Sequence, residues 1–191
     1  PLHLIINVRC VYETGIKEHN IMRIINLVEI KSVLPNVDLM KEIEAGFVAY
    51  TRGDVVVPPV GELQFESPPG DVHIKYGYIK NDDVYVIKIA SGFPRNSDRG
   101  LPNGNGMMLV FNQKTGEPMA ILKDEAHLTD VRTAVAGAIC AKYLSPKIVK
   151  SIGIVGTGLQ AKMQLEYLNS IINCNNVIVW GRRETSLLKY Q

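Results

Sequence analysis

The sequence predicts an α/β chain in two parts: an antiparallel α+β domain, then the first part of a parallel, doubly wound unit. Three observations carry this. Four strand-like runs joined by tight turns occupy residues 72–124, a segment of helical period follows at 127–144, and residues 151–180 read strand, glycine turn, helix, strand.

The elements follow in chain order. IINLVEIKSVLP reads as a short strand entering a helical turn. The next segment spaces Val37, Met40, Ile43, Phe47 and Tyr50 at helical intervals, and Gly53 stops it. VHIKYGYI (72–79) and VYVIKIAS (84–91) form a hairpin closed at Asn81–Asp83. GMMLVFN (106–112) and PMAILKD (118–124) flank a second turn, QKTGE. Successive hairpins imply a largely antiparallel sheet. HLTDVRTAVAGAICAKYL (127–144) is helical, with Thr129 as the expected N-cap and Pro146 beyond its far end. Residues 100–106, GLPNGNG, read as a flexible loop in which Asn103 could face a site.

Composition limits the function. The 191 residues are 46% hydrophobic and 21% charged, with a formal charge of +2. No polybasic tract points to nucleic acid, and no apolar run is long enough to span a membrane. Cys10, Cys140 and Cys174 are far apart and fit no zinc spacing, so no metal is expected. Reduced thiols in a cytoplasmic protein are the expectation. Residues 1–21 fit poorly with the rest and read as a non-native or disordered leader, with Met22 as the natural start. The expected organisation is therefore a leader at 1–21, an α+β domain at 22–125, a connecting helix at 126–147, and a nucleotide-binding start at 148–191.

In GIVGTGLQA, the glycine turn orders Gly156, Gly158 and Ala161 as G-x-G-x-x-A. The first glycine permits a tight turn, and the second lets the backbone approach a pyrophosphate. The small third residue lets the helix lie close to the strand, and the helix N-terminus offers amides to the phosphates. Directly after an apolar strand and before a second one, this is a Rossmann NAD(P) signal; a purely structural turn is the alternative. At the end of the second strand stand Gly181, Arg182 and Arg183, where a carboxylate would favour NAD. Two guanidiniums suit a 2′-phosphate and favour NADP(H), against solvent-exposed arginines as the alternative, and Glu184 could still reach a ribose. One strand–helix–strand unit leaves a parallel sheet uncovered, so the dinucleotide fold reads as truncated at Gln191.

Two cations are candidates for binding a substrate anion. Lys88 lies among apolar residues on an inner strand, where an ammonium needs a partner anion; Arg132 lies on the helix leading into the nucleotide unit. For each, the alternative is a structural ion pair. His73 reads as a satisfied strand histidine and Lys75 as a solvated lysine.

KIASGFPRN, GLPNGNG, MLVFNQKTGEP, LTDVRTAVAGA and IGIVGTGLQA, in this order and spacing, resemble the ornithine cyclodeaminase/mu-crystallin family over about residues 24–191. The resemblance implies an N-terminal substrate and dimerisation domain, a Rossmann domain and a homodimer. It assigns Lys88 and Arg132 to the substrate carboxylate, Arg132 also to the cofactor beside it, and Asn103 to the nicotinamide end. Thr157, Leu159 and Gln160 fall in the pyrophosphate loop, and Gly181 with Arg182 at the ribose end. The implied function is an NAD(P)-dependent reaction at the C–N bond of an amino or imino acid, as ketimine reduction or cyclodeamination. The alternatives are a non-catalytic mu-crystallin-like binder of nucleotide and small ligand, and another Rossmann oxidoreductase. Two departures stand out. Val60 occupies a position where the family commonly has an arginine, and the family's catalytic aspartate falls beyond Gln191, so this stretch alone is expected to be inactive.

Overall fold

The structure, a computed structural model, describes residues 22–190, so the expected leader lies outside the described residues. The chain divides into two compact units, the first ending at Thr129 and the second beginning at Asp130.

The first unit opens with β1 (Arg23–Asn26) and α1 (Leu27–Val33). The switch between them is a capping box. Asn26 Oδ1 accepts from the Val28 and Glu29 amides at 2.9 and 3.1 Å, and the Glu29 carboxylate accepts from the Asn26 amide at 2.8 Å. Helix α2 (Leu39–Thr51) starts where Asp38 accepts from the Lys41 amide, and ends before Gly53 at φ +77°. Its buried face runs through Leu39, Ile43 and Gly46; the expected apolar stripe is only half realised, because Phe47 and Tyr50 remain exposed.

The sheet continues with β2 (Val55–Val56), β3 (Gly61–Glu66), β4 (Pro69–Ile79), β5 (Val84–Gly92), β6 (Gly104–Asn112) and β7 (Pro118–Lys123). The strand order is β1-β7-β6-β5-β4-β2, with β3 also paired to β4. All pairs are antiparallel except β1 on β7, which is parallel. Both predicted hairpins form, with Asn81 and Gly116 at positive φ in their turns. β2 and β3 were not anticipated. Five of the six β3 residues are exposed, so neither face carries the burial contrast that produces period-two patterning. The presumed loop at 100–106 is shorter than expected, because pairing of Gly104 with Gly92 starts β6 two residues early. Val84, Val86, Met108, Val110, Ala120 and Leu122, each at most 4% exposed, form a continuous apolar patch on one face.

Helix α3 (His127–Leu144) crosses the boundary between the units and buries Leu128, Val131, Ala134, Val135 and Ala138 at three- and four-residue spacing. It begins two residues before the expected cap, so Thr129 lies inside its first turn. Asp124 serves that end instead, with Oδ2 accepting from the Leu128 amide at 3.1 Å. The second unit continues with β8 (Ile152–Val155), α4 (Leu159–Asn169), β9 (Val177–Trp180) and α5 (Glu184–Leu188), and β8 and β9 pair in parallel. Among the described residues no helix is long and apolar enough to cross a membrane, and no cluster of His, Cys, Asp and Glu could hold a metal.

Candidate functional site

Parallel pairing sets Val155 beside Trp180, so the turn after β8 and the chain after β9 leave the sheet at the same end. Gly156 adopts φ +112°, a conformation L side chains rarely take, and its amide donates to Trp180 O at 2.8 Å. Gly158 is the N-cap of α4 in ordinary extended geometry (φ −83°, ψ −178°), and no side chain caps the helix amides there. A Cβ built on Gly158 would meet nothing within 4 Å. The glycine is therefore not needed to relieve a clash within the protein.

A cleft of about 390 Å³ opens at this point. One wall is Val155 with Gly156, Thr157 and Gly158; the other is Trp180 and Gly181 with Arg182, Arg183 and Ser186. The Gly156 amide on Trp180 O joins the walls, and they also lie close at Gly181. A Cβ on Gly181 would lie 2.9 Å from Thr157 Cγ2 and 3.2 Å from Leu187 Cδ2. Open helix amides on one side and two guanidiniums on the other make the cleft attractive to anions. Six of the predicted cofactor residues thus share one cavity: Gly156, Thr157, Gly158, Gly181, Arg182 and Arg183.

Leu159 and Gln160 are placed differently. Leu159 opens α4 and is 59% exposed. Gln160 Nε2 donates to the Asp130 carbonyl at 3.1 Å and to Asp130 Oδ1 at 3.0 Å, which ties the start of α4 to α3. Its Oε1 is shielded from solvent without a hydrogen-bond partner. Arg132 Nε is likewise buried and unpartnered. Burial draws the Arg132 guanidinium below its ordinary pKa, and the Asp130 carboxylate opposes that shift. An orphaned guanidinium N–H in a desolvated position is suited to receive an anion.

In the first unit, Lys88 is 4% exposed on β5. It stands opposite Met108, which stands opposite Leu122, and Asp124 follows two residues on at 1% exposure. Lys88 therefore has a carboxylate in its electrostatic field. Burial raises the Asp124 carboxyl above its usual value, while the Leu128 amide and the Lys88 charge pull it back. Asp124 escaped the sequence reading, although an acidic residue just ahead of a helical period is a capping signal. Asn103 closes its own loop: its Oδ1 accepts from the Ser97 amide at 2.9 Å and its carbonyl from the Phe93 amide at 2.7 Å. His73 lies 3.4 Å from both Glu62 and Asp71, the satisfied strand position expected of it. Lys75 departs from expectation. It is partly buried and in register with Lys88, rather than a freely solvated side chain.

The sequence profile of the ornithine cyclodeaminase/mu-crystallin family matches residues 18–190. An uncharacterized cyclodeaminase of Sinorhizobium fredii is 37% identical over 163 residues, covering 84% of this chain and 49% of the relative. An archaeal alanine dehydrogenase dimer with bound NAD superposes with a TM-score of 0.79 at 30% identity, covering 88% of this chain and 51% of that one. The Δ1-pyrroline-2-carboxylate reductase of Thermococcus litoralis, in complex with NADH and L-proline, gives 0.76 at 26% identity over 88% and 52%. The chain spans about half the length of the curated relatives it matches.

Proposed function

Because the chain belongs to the ornithine cyclodeaminase/mu-crystallin family, we propose that it serves a nicotinamide-dependent reaction at the C–N bond of an amino or imino acid. The observation that supports this most is the cleft that joins the glycine turn to Arg182 and Arg183. Its residues fit a dinucleotide: uncapped amides and an unobstructed Gly158 for the pyrophosphate, guanidiniums for the ribose end. When bound, the nicotinamide supplies two-electron redox chemistry. The protein's own contribution is to bind and orient. Arg132 in the second unit and Lys88 in the first are each candidates for an acid group of the substrate, and the buried Arg132 Nε has no hydrogen-bond partner. Fixing the acid group fixes the neighbouring carbon, and positioning of that kind accounts for a large share of the acceleration in such reactions.

The arginine pair further supports NADP(H) over NAD(H). Titration of NADPH and NADH by nicotinamide fluorescence tests this. Arg182→Ala with Arg183→Ala should weaken NADPH by about tenfold or more, the loss of one to two charge-assisted contacts, and leave NADH nearly unchanged. Equal losses for both nucleotides would reject the 2′-phosphate assignment. If the complete protein bound either nucleotide but oxidised no NAD(P)H with any linear or cyclic ketimine, and reduced no NAD(P)+ with any amino acid, the C–N reading would give way to simple binding.

A further inference from the structure

Lys75 and Lys88 are directly paired across the β4–β5 ladder. Directly opposed residues of an antiparallel pair project from the same face, with Cβ atoms about 5 Å apart, and like charges so placed repel. On this face the strands beyond Lys88 contribute Met108 and Leu122, both fully buried and uncharged. The buried carboxylate here is Asp124, which already accepts from the Leu128 amide and lies in the field of Lys88. The nearest acids on β3 and β4, Glu62 and Asp71, are turned to His73 at 3.4 Å each. Val60, the residue before Gly61 and so next to the Gly61–Ile74 pair, brings no charge to the Lys75 end. Lys75 and Lys88 therefore share this face with Asp124, Glu62 and Asp71, the last two in contact with His73, and among the described residues no ion pair engages Lys75. A partly buried cation that faces a second cation and joins no ion pair is a ready partner for an anion.

We propose that Lys75 is a specificity-determining residue that selects a substrate with a second acid group, a dicarboxylic amino or imino acid. This rests on the reading above, in which Lys88 receives the first carboxylate. A short dicarboxylic acid places its second carboxylate at about the spacing of two opposed strand side chains, within reach of Lys75. A substrate with an apolar side chain would leave the Lys75 charge uncompensated and bind less well.

The test measures binding of two probes, succinate and butyrate, to the complete protein by calorimetry, without nucleotide or turnover. Lys75→Met removes the charge at similar length, and Lys75→Arg keeps it. Wild type should bind succinate about tenfold or more tightly than butyrate, a difference that Lys75→Met abolishes and Lys75→Arg retains. Butyrate affinity should hold or rise in Lys75→Met, because the uncompensated charge is gone, whereas a merely structural role would lower the affinity for both probes. Equal affinity for both probes in wild type, succinate binding that survives Lys75→Met, or no binding of either would overturn the proposal. The two readings separate cleanly. A protein inactive on every ketimine that still shows the difference keeps the role of Lys75 and loses the C–N reaction. An active enzyme without the difference does the reverse.

Discussion

Gly158→Asp separates a structural glycine from a ligand-binding one, because the two readings predict effects of opposite sign. Gly158 has extended backbone and open space beside its Cβ, so an aspartate enters without strain. It also becomes the N-cap of α4, which has no side-chain cap. Replacing a glycine cap by aspartate is worth a few tenths of a kcal/mol, and an acid at a helix N-terminus adds about 0.3–1 kcal/mol. Folding stability should therefore rise by about 1 kcal/mol, or roughly 2–4 °C in Tm. The same carboxylate stands where a pyrophosphate would approach. Two like charges about 4 Å apart at an effective dielectric near 20 repel by about 4 kcal/mol, so nucleotide affinity should fall by roughly a thousandfold. Thermal denaturation and nicotinamide fluorescence on the same sample read both numbers. A variant that melts higher and still binds NAD(P)H normally would refute the pyrophosphate assignment; one that melts much lower would show that the turn needs glycine at 158 for its own sake.

Two further predictions concern the first unit. Burial raises the Asp124 carboxyl above its ordinary 3.8; a raised folded-state pKa gives stability that is fully present below the unfolded value and is lost as the pH rises through the folded one. Wild type should therefore lose stability relative to Asp124→Asn as the pH rises above the ordinary carboxyl range in urea denaturation, and a pH-independent difference would contradict this. Leu63, Phe65, Tyr76 and Met107, on the sheet face opposite Lys88, are 53%, 44%, 41% and 39% exposed, and we propose that this face pairs two copies of the chain. Sedimentation equilibrium should give twice the chain mass, reduced to one by Phe65→Glu; a monomeric wild type would refute it.

What could be read from the sequence was whatever local chemistry dictates. The strand-to-helix switch in IINLVEIKSVLP, the hairpin turns at Asn81 and Gly116, the α3 periodicity and the β8–α4–β9 unit each rest on residues within a few positions of one another. The cleft was legible for the same reason, since its two walls are a glycine turn and a strand end that parallel pairing must bring together. What escaped depends on partners distant in the chain. β1 pairs with β7, which no local pattern announces. Asp124 looked like the end of a strand because its two partners, the Leu128 amide and the Lys88 charge, come from a helix and a different strand. Lys75 looked solvated because only the ladder shows which residue stands across from it. Gln160 was assigned to the phosphates by position, while its amide nitrogen is occupied by Asp130, thirty residues earlier.

The parallel seam between β1 and β7 has a consequence for biosynthesis. Ile25 and its partner Leu122 lie roughly a hundred residues apart. On a ribosome adding about 5–20 residues per second, the earliest strand of the sheet waits about 5–20 seconds for its neighbour to be made. Through that interval Ile25, buried in the finished sheet, lacks the strand it pairs with. Slowing translation ahead of residue 118 would lengthen this window, and a chaperone that shields apolar segments would be needed most there.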